Sequence, residues 1–147
     1  MNQHLILYPL LAMFLLVCIV AGTMLNRRIT FYKTNRVHPQ KTATSAQMAA
    51  TITDSRAPDN FRNLFELPVM FYVAVLVLFA TQLVSLAQVT FAWGFVVGRF
   101  AHSAIHCGSN NVMRRFYAFL FSNFFLVCMW GMLAWQLFTV SVTTKAG

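Results

Sequence analysis

Two short clusters of arginine with histidine, asparagine and glutamate are the residues of this chain whose spacing points to chemistry. Arg99, His102 and His106 recur at helical intervals, and at 100° per residue they fall within an arc of about 60°. Arg62, Asn63 and Glu66 share about 100° of another helical stretch, and Arg114 and Arg115 adjoin a third. Glu66 is the one carboxylate among these arginines, so it is expected to meet Arg99 or His102 as an ion pair. A buried ion pair that only fixes helix register is the plain reading of such a set. The count goes further, because one Glu cannot neutralise Arg62, Arg99, Arg114 and Arg115. Surplus guanidinium suits an anionic guest with several carboxylates, which the planar fork of arginine grips in pairs. His102 and His106 have the i,i+4 spacing of a metal pair, but no third ligand pattern accompanies them, so no metal is expected. Cys18, Cys107 and Cys128 form no CxxC pair and read as small buried apolar residues, with Cys107 the one in a reactive neighbourhood. No Ser/His/Asp set, phosphate-binding glycine loop or carboxylate pair can be assembled.

Charges at such positions need elements that hold them at membrane depth. The chain has 147 residues, 59% hydrophobic and only 10% charged, with a mean hydropathy of +0.63 and 15 Phe. Ordinary soluble domains carry roughly 25% charged residues. That composition excludes a soluble globular enzyme, a disordered chain and a disulfide-stapled secreted domain; it describes one polytopic membrane domain over residues 1–147. The apolar stretch 5–25 is long enough to cross a bilayer, at roughly 31 Å. It lacks the basic start of a signal peptide, so it reads as a retained helix. The segment 26–61 is basic, polar and solvent-exposed, and part of it is expected to be ordered. The long uncharged run that follows divides near Ser85 into spans at 62–84 and 88–108, which carry Glu66 and Arg99 inside them. A fourth span covers 116–140, with Asn123 and Gln136 as interhelical polar contacts.

Eleven Lys and Arg against three Asp and Glu could suggest nucleic acid, but most of the positive charge lies in 26–61 and 109–115. The positive-inside rule puts both segments in the cytoplasm and both termini outside, where the tail carries only Lys145. Anionic lipid headgroups, not nucleic acid, are the expected neighbours. A bacterial inner membrane is expected rather than an organellar one.

The run Arg62-Asn63-Leu64-Phe65-Glu66-Leu67-Pro68 resembles the RNxxE signature of the MAPEG family, the membrane-associated proteins in eicosanoid and glutathione metabolism. Gly98-Arg99-Phe100-Ala101-His102 resembles that family's G-R-x-x-H stretch, and Arg114-Arg115 follows at about the family's interval. The similarity covers essentially the whole chain. It implies an all-α integral membrane four-helix bundle, left-handed and up-down, assembled as a homotrimer. Glutathione, as co-substrate, would lie between subunits at the cytoplasmic side. Arg62, Asn63 and Glu66 would contact the tripeptide, with Arg99, His102 and His106 lining the same cleft and Arg27 or Arg28 meeting a carboxylate. Arg115, or Arg114, would stabilise the thiolate. The implied activity is that of a glutathione transferase or peroxidase acting on a small hydrophobic electrophile or a lipid hydroperoxide.

Two positions depart from the pattern. His106 stands where the family usually has Tyr, and Phe116 stands where Ser occurs in catalytic relatives. They leave open a non-catalytic scaffold or lipid- or partner-binding subunit with the same fold. A proton-coupled transporter using Glu66 is a third reading.

Overall fold

The computed structural model describes residues 2–145, with side chains through residue 140. The side chain of Lys145, counted above as the tail charge, lies outside the described residues. All regular structure among the described residues is helical. A 3₁₀ turn, Gln3–Ile6, leads into α1, Leu7–Asn35. A second 3₁₀ turn, Pro39–Thr42, precedes the short helices α2, Ser45–Thr51, and α3, Arg56–Asn63. Three longer helices follow: α4, Leu67–Thr81; α5, Leu86–Cys107; and α6, Val112–Lys145.

Local chemistry explains the boundaries. α1 continues past the apolar stretch into the basic residues, because charge does not stop a helix. It ends where Arg36 turns left-handed at φ 50°. Thr44 and Gln47 form a reciprocal capping box on α2. Ser85 caps α5 by accepting from the Gln88 backbone N–H at 3.3 Å, close to the turn expected there.

The expected span 62–84 is divided. α3 ends at Asn63, the chain bends through Leu64–Glu66, and α4 restarts with Pro68 in its first turn. A helix running through this point would set the proline ring against the Leu64 carbonyl and lack one N–H donor. Arg62, Asn63 and Glu66 therefore do not share one helical face.

Among the described residues three helical stretches, Gln3–Asn35, Arg56–Thr81 and Val112–Val140, are long and apolar enough to cross a membrane. α5 has 22 residues and carries Gln88, Arg99, His102 and His106 along one helix. Those polar side chains are buried against its neighbours. Met13, Leu16 and Val20 of α1 pack with Phe71, Val75 and Leu78 of α4, Phe95 of α5, and Met129 and Leu133 of α6. The Phe71 and Phe95 rings stack at 4.7 Å. Outward faces carry Phe14, Leu15, Leu76, Phe124, Val127 and Trp135, the surface a bilayer would cover.

α5 and α6 form the most extensive pairing. Gly94 and Gly98 allow the close approach: a Cβ on Gly98 would lie 2.8 Å from the Ser122 Cβ. Gln136 accepts from Gln88 Nε2 at 3.1 Å and donates to the Leu83 carbonyl at 3.2 Å, tying α6 to both sides of the α4–α5 turn. Asn123 makes no such link; its Oδ1 is buried without a hydrogen-bond partner.

Candidate functional site

The C-terminal half of α5 turns Arg99, His102 and His106 inward, at 1%, 4% and 2% exposure. Arg99 Nη2 donates to the Asn63 carbonyl at 2.9 Å, one of the carbonyls left open where α3 stops. Its Nε is buried without a partner. The expected ion pair does not form: Glu66 is exposed, and both ion pairs among the described residues belong to Asp54. The Pro68 break removes Glu66 from the helical face that would have delivered it.

His102 Nδ1 lies 3.1 Å from the Arg115 carbonyl oxygen, which can only accept, so the imidazole carries its proton there. His106 Nε2 lies 2.9 Å from Arg115 Nη1, and the same Nη1 donates to Asn110 Oδ1 at 2.8 Å. Asn110 sits in the α5–α6 turn with φ 50°, a left-handed conformation that asparagine tolerates. The two imidazoles meet edge to face with centroids 5.6 Å apart. Beside them opens a cleft of about 230 Å³ lined by Asn63, His102, Val112, Arg115, Phe116 and Phe119.

Of the ten residues expected from sequence, Asn63, Arg99, His102, His106 and Arg115 come together here. Arg62, Glu66 and Arg114 are exposed, and Arg114 does not line the cleft. Arg28 joins this cluster by no hydrogen bond among the described residues. Arg27 is engaged elsewhere: it pairs with Asp54 at 3.3 Å and donates to the Cys107 carbonyl.

That second contact belongs to a clamp that sequence reasoning missed. Asp54 receives both Nε and Nη2 of Arg56, at 2.7 and 2.9 Å, and Arg56 Nη1 donates to the Gly108 carbonyl at 2.8 Å. The hydrogen bonds from Arg56 hold the Asp54 carboxyl at a pKa of about 2, below the ordinary 3.8. Two guanidinium groups thus cover carbonyls at the end of α5, where the helix dipole is negative. Asn60 adds a buried link, donating to Cys107 Sγ at 3.4 Å and accepting from Ser103 Oγ at 3.3 Å. The available signal was Asp54 itself, one of three acids against eleven cations and two residues ahead of Arg56.

The electrostatic result is a cleft with Arg115 on its wall and Arg99 buried behind Asn63, both hydrogen-bonded to neutral acceptors and neither in an ion pair among the described residues. The model of the MAPEG family matches residues 5–135. The chain belongs to the MAPEG family. No curated protein and no solved structure matches it. As a MAPEG protein it is a helical membrane protein of the glutathione and eicosanoid metabolism type, and its cleft lies among residues of both signature stretches.

Proposed function

We propose that this MAPEG protein binds glutathione in the cleft beside Arg115 and activates its thiol for transfer to a small hydrophobic electrophile or for reduction of a lipid hydroperoxide. The observation that carries this reading is that Arg115 lines the cleft with buried Arg99 behind it, neither guanidinium being in an ion pair among the described residues and Glu66 acting on Arg99 only through space. Glutathione brings two carboxylates and a thiol that is mostly protonated at neutral pH. A guanidinium next to the sulfur stabilises the thiolate over the thiol and so lowers the thiol pKa. The proton leaves to solvent; the thiolate then displaces the electrophile's leaving group, or attacks the hydroperoxide's distal oxygen and expels the alkoxide. The alkoxide takes a proton to become the alcohol, after which a second glutathione converts the sulfenic acid to glutathione disulfide and water. Val112, Phe116 and Phe119 give that substrate an apolar wall. The protein supplies no nucleophile of its own.

In this reading α5 is a fourth span, sheltered by the other three, and the protein is a homotrimer whose neighbouring subunits close the cleft. Exposed Arg62, Glu66 and Arg114 would then face the ligand or the adjoining subunit. The 26–61 and 109–115 segments are cytoplasmic and both termini are outside. One observation favours a second reading, a non-catalytic scaffold: Phe116, half exposed at the cleft, offers no hydroxyl to orient a substrate.

Detergent-solubilised protein titrated with glutathione should develop the ultraviolet absorbance of a thiolate. Arg115→Leu should raise the bound thiol's pKa by at least about one unit, a tenfold change in the ionisation equilibrium. Arg114→Leu should leave it within about twofold of wild type. Binding without thiolate formation would favour the scaffold, and no binding would end the proposal.

A further inference from the structure

The way Arg115 is held carries an inference about two neighbours. Its Nη1 has two hydrogens, and both are used, by His106 Nε2 at 2.9 Å and Asn110 Oδ1 at 2.8 Å. A guanidinium has no lone pair to offer, so the imidazole nitrogen is the acceptor and the His106 proton resides on Nδ1. Among the described residues, neither Nε nor Nη2 of Arg115 donates to a protein acceptor. These two groups form the opposite edge of the guanidinium, a pair of parallel N–H donors suited to an anion. Arg115 lines the cleft, whereas His106 is only 2% exposed and does not.

We infer that His106 and Asn110 are positioning residues that tie off one amino group of Arg115 so that its Nε–Nη2 edge is held for the guest's anionic atom. His106, expected from sequence to touch glutathione itself, acts instead through the arginine. The choice of acceptors has a physical reason. A carboxylate could fix the same geometry, but it would cancel much of the positive potential that the guest is to feel. A neutral imidazole and a neutral amide orient the cation and leave its charge available. The identity of the guest rests on the glutathione reading above; the positioning of Arg115 does not.

The test has two arms on the full-length protein in detergent. Without ligand, nitrogen NMR of ¹⁵N-histidine-labelled protein should report His106 as the neutral Nδ1–H tautomer with an Nε2 that accepts a hydrogen bond. Arg115→Leu should abolish that Nε2 signature. A proton on Nε2, or a signal indifferent to Arg115→Leu, overturns the inference. With glutathione, His106→Phe should raise the bound thiol's pKa by about one unit. His106→Gln, whose side-chain oxygen can stand near Nε2, should restore most of the wild-type value. Phe and Gln variants that behave alike overturn the positioning role. Asn110→Ala, which removes the other acceptor, should shift the pKa in the same direction and serves if His106→Phe does not fold. If wild-type protein binds no glutathione, the ligand reading fails and the NMR arm decides the positioning role alone.

Discussion

At Arg99 a full positive charge is almost wholly out of solvent, held by one backbone carbonyl and in no ion pair, with Glu66 acting on it only through space. Burying an unpaired ion costs several kcal/mol, and replacing it with an apolar side chain of similar volume is often neutral or stabilising. In the proposed glutathione site Arg99 would contribute its positive field from behind Asn63, at the expense of the fold. Arg99→Met should change unfolding stability by less than about 1 kcal/mol or raise it, while glutathione affinity falls at least tenfold. Thermal unfolding and calorimetric binding on the same preparation check this; a destabilised variant with unchanged affinity would contradict it. The inward face of Arg99, His102 and His106 was legible from spacing alone, because three- and seven-residue intervals align on any helix. The choice of Arg115 over Arg114 was not. It depends on the rotational phase of α6, which the Asn110 turn sets and composition does not encode. Glu66 forms no ion pair with Arg99 because the chain break before Pro68 interrupts the helix that would carry it there.

At the level of elements, the site is the seam between α5 and α6. The Arg115 carbonyl reaches His102 because the two helices touch at glycine. A Cβ on Gly98 would meet the Ser122 Cβ at 2.8 Å and its Cα at 3.0 Å, and a backbone atom cannot swing aside. Gly98→Ala should separate the helices and cost about 1–3 kcal/mol. Gly131→Ala, with nothing within 4 Å of the added carbon, should be neutral or stabilising. Parallel thermal melts in one detergent decide the matter, and equal melts for the two variants would contradict the seam. The existence of the long helices followed from hydropathy, yet their ends did not. The reach of α1 to Asn35 and the division of α3 from α4 depend on backbone events at Arg36 and Pro68. The clamp of Arg27, Asp54 and Arg56 on the end of α5 joins parts of the chain far apart in sequence, which periodicity cannot reveal.

At the scale of the molecule, the orientation proposed above rests on where the arginines and lysines lie in the sequence. Single cysteines at Asn2 and Gln47, with Cys18, Cys107 and Cys128 replaced by alanine, should react with an impermeant thiol reagent from opposite sides of the membrane. Asn2→Cys should label on intact cells and Gln47→Cys only after permeabilisation; the reverse pattern would invert the topology. In the proposed function the thiolate of glutathione completes the guanidinium of Arg115, which no carboxylate pairs among the described residues. A structure of the protein with glutathione bound tests it most directly. The sulfur should lie within hydrogen-bond distance of the Nε–Nη2 edge of Arg115, in the cleft beside His102. Density for the tripeptide elsewhere, or a thiol directed away from Arg115, would contradict it.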